Sequence, residues 1–254
     1  MQLNDGRLSR LDPALADLRA RLADTRIGLA DAAVKDASET LSTMGEEHAA
    51  LVPAAQENLN LAEARREKAN RESILERAIA STRQQSGDVQ QSAETVERIL
   101  ATGALTEELG AVLRSVQTSL PAASQLMQQL VDNEKARVSL QLNQILWQER
   151  LRTLGDTEAA VRTLLALDDD AALESDVFEP AAALIETRRA LLNGLIEDAR
   201  SEADQIAAQE IAIRDLLIHT ERLSALLDRR LLCFALATRL PERGLQPCPP
   251  VSPG

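Results

Sequence analysis

Leucines stand at positions 8, 11, 15, 18, 22 and 29, separated by 3, 4, 3, 4 and 7 residues. An apolar repeat averaging 3.5 residues keeps one stripe of a helix turned toward a partner, so Leu8, Leu11, Leu15, Leu18, Leu22 and Leu29 predict a coiled-coil seam. Asp12 followed by Pro13 reads as an N-cap and first-turn pair, which puts the start of the first long helix near Pro13. The pattern weakens around Gly45, and Pro53 disfavours helical geometry at Val52, so a break or tight hairpin is expected within Ser42 to Pro53. From Ala54 to Leu100 a second helix is expected: Leu75, Thr82, Val89 and Val96 recur at seven, with Ile79, Ala93 and Leu100 in the alternate position. About 47 residues at ~1.5 Å each would make a rod of about 70 Å. Thr82, several alanines and Gly87 thin this seam, and the glycine alone costs ~1 kcal/mol relative to alanine, so the pairing should be loose and the hairpin thin and extended.

Ala101-Thr102-Gly103-Ala104 ends that helix, and Leu105 to Leu120 reads as a short amphipathic element carrying Leu109, Val112, Leu113 and Val116. Pro121 opens the next helix. There Leu126, Leu130, Leu140, Trp147, Leu151 and Leu154 share one face. Met127, Val131, Val138, Leu142 and Ile145 share a neighbouring one, an apolar surface wide enough for more than one partner helix. Gly155 reads as a C-cap and Asp156-Thr157 as a fresh N-cap, before a short helix over Ala159 to Leu167 that stops at the acidic turn Asp168-Asp169-Asp170. A final rod is expected from Pro180 to about Leu232, buried along Leu184, Leu191, Leu195, Ile206, Ile213, Leu216, Leu223, Leu227 and Leu231. Both cysteines and five of the nine prolines fall in the last 22 residues. The expected class is therefore all-α: long helical hairpins in a coiled-coil bundle with a short-helix corner. Residues 1–102 form the first hairpin, 103–232 the short element, middle helix and last rod, and 233–254 a disordered Pro/Cys-rich tail.

Composition strengthens this and removes several functions. One Trp, two Phe and no Tyr among 254 residues give 1% aromatics, too little for an ordinary enzyme core. Forty acidic against 28 basic side chains give a net charge of −12, which argues against nucleic acid and against an anionic bilayer as partners. The longest apolar run, Leu231 to Ala237, is seven residues, where crossing a bilayer takes roughly 20, so no transmembrane segment is expected. Met1 to Arg7 lacks the features of a secretion signal, and the chain as written would stay in the cytosol.

Candidate chemistry is sparse. His48 falls in the expected break and His219 beside the seam of the last rod; both read as flank positions rather than ligands. Asp168-Asp169-Asp170 with Glu174 and Asp176 could attract a divalent cation, but no EF-hand spacing accompanies them, and a solvated turn is the expectation. Cys233 has no base fixed near it, Cys248 no partner spacing, and Trp147 reads as a core anchor. No catalytic, cofactor-binding or metal-ligating residue is assigned, no cofactor is expected, and the chain reads as non-enzymatic.

Two blocks carry a family resemblance. Val96-Glu97-Arg98-Ile99-Leu100, Gly103, Leu105, Leu109-Gly110, Leu113-Arg114 and Ser119-Leu120-Pro121 stand ahead of a long helix, and Leu184-Ile185-Glu186-Thr187-Arg188-Arg189-Ala190-Leu191-Leu192 leads to Leu226-Leu227-Asp228-Arg229-Arg230-Leu231-Leu232. In this order they resemble the periplasmic helical region of large MscS-family mechanosensitive channels of the MscK and MscM type. The resemblance implies an extramembrane helical domain, on the periplasmic face of the inner membrane in the parent protein, that scaffolds or modulates a channel in osmotic adaptation. Its partners would be protein helices, by self-association or in neighbouring channel subunits. In that family the final Leu-Leu is typically followed by Trp and then by membrane helices and the pore. Here Cys233 follows, so the expectation is a fragment without signal peptide or pore, its reading frame lost after about codon 232. The alternative is a free-standing coiled-coil scaffold or adaptor that binds partner helices.

Overall fold

The structure, a computed structural model, describes residues 2–101, 107–166 and 175–239, the side chains of 2–17, 19, 20, 175 and 233–239 excepted. Gly103, Leu105, Asp168 to Asp170, Glu174, Cys248, the proline-rich tail from 240 onward and the side chain of Cys233 lie outside what is described.

Six α-helices make up the described chain, in the order α1 (Gln2–Glu47), α2 (Val52–Ala101), α3 (Glu107–Ser119), α4 (Ala123–Thr153), α5 (Thr157–Leu164) and α6 (Ser175–Arg239), with a 3-10 turn over Ala49–Leu51. The fold is all-α, and no strand occurs among the described residues. No described helix is long and apolar enough to cross a membrane.

The breaks follow local chemistry. At His48 the backbone leaves the helix at φ −139°, ψ 71°. His48 N donates to Met44 O and Leu51 N to His48 O, both at 2.9 Å, and Leu51 is wholly buried. Val52 and Pro53 then start α2, as Pro53 required. Gly155 takes φ +59°, the left-handed cap geometry that only glycine reaches without strain. Asp156 then caps α5 by accepting a hydrogen bond from Ala159 N at 2.8 Å. Two helices differ from expectation. α6 spans Ser175–Arg239 with Pro180 inside it, not Pro180 to about Leu232, so residues 233–239, expected as part of a disordered tail, are helical. α1 begins at Gln2 and runs through Pro13. The proline deletes one hydrogen bond at a cost of ~3 kcal/mol, while leucine- and arginine-rich turns on both sides favour continuing the helix.

The described chain divides into two compact units, 1–77 with 134–207 and 78–133 with 208–254. In the first unit α1 and α2 form a hairpin, and α4 and α6 complete the core. Val34 and Ala37 meet Leu61, Ala62, Leu191, Leu192 and Leu195 with Trp147 and Leu151; Leu140 packs with Leu75, Ala199 and Ile206. At the hairpin end, Leu51, Ala54 and Ala55 pack with Val161 of α5 and with Ala181, Leu184 and Ile185. The second unit closes around Val89, Val96, Leu109, Leu113 and Leu126 with Ile213, Leu216, Leu223 and Leu227 of α6. Burying each such side chain contributes roughly 1.5–3 kcal/mol.

Within α2, every named seam position from Leu75 to Leu100 is buried or half-buried, and the buried Ser86 fills the register gap between Thr82 and Val89. The α1 seam behaves otherwise. Leu18, Leu22 and Leu29 are 64%, 52% and 68% exposed, whereas Ala23, Ile27, Ala30, Val34, Ala37, Leu41 and Met44 face the bundle. At 100° per residue the two stripes lie roughly 110° apart. The inner stripe alternates alanines at 23, 30 and 37 with Ile27, Val34, Leu41 and Met44, while Leu18, Leu22 and Leu29 are turned out. On α4 the face of Leu126, Leu140 and Trp147 packs against both α2 and α6. The neighbouring face stays uncovered, with Met127, Val131, Val138, Leu142 and Ile145 all exposed.

Candidate functional site

The polar groups buried in these units meet one another across helix interfaces. Asn58, 2% exposed, donates from Nδ2 to Leu184 O at 2.8 Å. Arg188 returns the contact, its Nε donating to Asn58 Oδ1 at 3.1 Å and its Nη2 to Ala54 O at 3.0 Å. Arg188 Nη2 also lies 2.9 Å from a Glu57 carboxylate oxygen. Burial pulls the Arg188 guanidinium below the usual arginine range; Glu57 opposes that and Arg150 reinforces it. It remains charged at any physiological pH.

Beside it, Arg189 holds the α4–α5 corner. Its Nη2 donates to Gly155 O at 2.5 Å, and its Nη1 to Thr157 Oγ1 and Glu186 Oε1, both at 2.7 Å. Thr157 Oγ1 donates to the same Glu186 oxygen at 2.5 Å. The turn that presents Asp156 as a cap is therefore tied to α6 by a charge-assisted network.

Farther along, Lys68 Nζ sits 2.7 Å from Glu202 Oε2, with each side chain 7% exposed. The same ammonium lies 5.3 Å from the centre of the Trp147 ring, within cation–π range. Trp147 is thus both the expected core anchor and a polar contact. Arg65 crosses over Gly194, where a Cβ would fall on its guanidinium, and donates from Nε to Asp198 Oδ2 at 3.0 Å. Arg26 on α1 reaches Glu72 at 2.6 Å and Ser201 Oγ at 3.3 Å.

These pairings fix direction. Arg188–Asn58, Arg65–Asp198 and Lys68–Glu202 join residues 130, 133 and 134 apart in sequence, so α2 and α6 run parallel in this unit. In the second unit Ser86 Oγ lies 2.9 Å from His219 Nδ1, again 133 residues away. Gln117 Nε2 donates to Asp228 Oδ1 at 2.6 Å.

His219 is thus the half-buried partner of a seam serine, and His48 belongs to the hairpin break. Asp176 lies exposed in the first turn of α6. Among the described residues no three His, Cys, Asp or Glu side chains gather as metal ligands. Among the residues that sequence reasoning missed are Asn58, Arg65, Lys68, Asp198, Glu202 and Ser86. Only Ser86 carried a signal, a hydroxyl at a heptad position. Chemically, each network described joins a donor on one helix to an acceptor on another, an arrangement that holds helices in register.

No family model, no curated protein and no solved structure matches this chain.

Proposed function

We propose that the chain is a non-catalytic extramembrane helical domain of the kind found in large MscS-type channels, scaffolding or modulating a pore formed elsewhere during osmotic adaptation. The observation that carries this reading is where the resembling residues stand. Leu109, Gly110 and Leu113 are the buried residues of α3, the short element between two long helices. On α6, Leu184, Ile185, Leu191 and Leu192 enter the core while Glu186, Arg188 and Arg189 make the cross-helix network. A scaffold that passes displacement along its helices needs such register-fixing contacts.

The test is the genomic DNA on both sides of the coding region, read in every frame. The reading expects a Trp codon at the position after Leu232, then successive hydrophobic segments of about 20 residues. An unrelated gene there, with no signal peptide encoded upstream, overturns it. A free-standing scaffold that docks partner helices is the second reading, favoured by the outward leucines of α1.

A further inference from the structure

We propose that α1 pairs, antiparallel, with α1 of a second copy of this chain. The inference stands independently of the channel reading. It starts from the outward face of α1, where Leu18, Leu22 and Leu29 are more than half exposed and continue in register the leucines at 8, 11 and 15. Assign Leu8, Leu15, Leu22 and Leu29 to position a of a heptad, and Leu11, Leu18 and Thr25 to position d. The face that meets the bundle is then carried by b and f, so a/d forms a second seam from Leu8 to Leu29 on this 46-residue helix, ending before Asp36, Glu39 and Thr43 at the same positions.

The flank of that seam identifies the occupant. Position e reads Asp5, Asp12, Arg19 and Arg26, two acids followed by two bases at intervals of seven. In an antiparallel pair, a layers stack on d layers and e flanks face e flanks. Stacking Leu15 on Leu18 of the second copy also stacks Leu22 on Leu11 and Leu8 on Thr25. The same alignment brings Asp12 opposite Arg19 and Asp5 opposite Arg26, each twice by symmetry. Position g, with Arg7, Ala14, Arg21 and Gly28, then places no two like charges together. A parallel, in-register pair does worse, since its g–e contacts set Arg7 on Asp12 but Arg21 on Arg26. The ladder therefore complements itself only in reverse. Arg26 already binds Glu72, and its 42% exposed side chain has donors to spare for a second carboxylate.

The test uses the full chain in sedimentation velocity and light scattering across a wide concentration range. The wild type should form a dimer. Replacing both Leu18→Ala and Leu22→Ala, at exposed sites whose loss leaves the helical signal in circular dichroism intact, should weaken it about a hundredfold or more. Asp12→Arg alone and Arg19→Asp alone should each weaken self-association about tenfold. Mixing these two single variants should restore a heterodimer, because each supplies the charge that the other lacks. A wild-type chain that stays monomeric, a dimer indifferent to the leucine substitutions, or a mixture no tighter than either variant alone would each overturn the proposal.

Discussion

Removing the carboxylate of Glu202 should be far more harmful than removing its whole partnership. At 2.7 Å from Lys68 Nζ, and with an effective dielectric near 20, the attraction is about 6 kcal/mol. Taking two ions out of water costs several kcal/mol each, so the net contribution of the intact pair is small. Glu202→Ala breaks that balance by leaving an ammonium in a site that is 7% exposed, with only the Trp147 ring, about 1 kcal/mol, as compensation. A loss of about 3 kcal/mol is expected. Lys68→Met with Glu202→Leu, which keeps volume and removes both charges, should fall within about 1 kcal/mol of the wild type. Urea titration gives the measurement, read by circular dichroism for the whole chain and by fluorescence for the site. Trp147 is the one tryptophan in the sequence and lies 5.3 Å from the ammonium. If Glu202→Ala unfolds within about 0.5 kcal/mol of the wild type by both signals, Lys68 finds water or another acceptor, and the argument from burial fails.

Other consequences can be checked in the same way. Arg189→Ala removes donors to Gly155 O, Thr157 and Glu186 and should cost about 1–3 kcal/mol, with amide exchange rising first around residues 154–160. Gly194→Ala should displace Arg65 from Asp198 while gaining up to ~1 kcal/mol of helix propensity. Its net effect on urea stability should be small, whereas Gly194→Leu should be clearly destabilising. The Arg152 guanidinium, by hydrogen bond first and charge second, holds the Glu149 carboxyl below the usual range. Any stability from this exposed pair is therefore present above the ordinary glutamate pKa and lost as pH falls through the lowered one. An NMR titration should show the low midpoint and its return to normal in Arg152→Gln.

What the sequence disclosed was whatever depends on neighbours in the chain. The break at His48, the glycine and aspartate at the α4–α5 corner, the ends of α2 and the buried stripe of α6 follow from capping, proline geometry and a 3.5-residue period, all local. The helix start missed at Pro13 is also local, but there a single proline competed with two strongly helical flanks. The cross-helix contacts were not legible, because Asn58 and Leu184 are 126 residues apart and no periodicity says which helices become parallel neighbours. The outward turn of Leu18, Leu22 and Leu29 was hidden for a related reason. α1 carries two apolar stripes, and pattern alone does not say which of them the bundle takes.

That choice becomes intelligible once register is considered. Seams of alanine and leucine look alike after every heptad, so apolar burial alone would tolerate α6 sliding by seven residues along α2. The buried polar groups do not tolerate it. A seven-residue slip moves a parallel helix by about 10 Å, which parts Asn58 from Leu184 O, Arg188 from Asn58, and Lys68 from Glu202. Each orphaned neutral group costs roughly 1–3 kcal/mol and each orphaned charge more. Their sum exceeds anything a few methyl contacts could regain. On α1, Ala23, Ala30 and Ala37 share the inner face with Ile27, Val34, Leu41 and Met44, and Arg26 reaches Glu72 at 2.6 Å, a contact that a slip of α1 would likewise part. Leu18, Leu22 and Leu29 are then left for the outer face, where a further helix can use them.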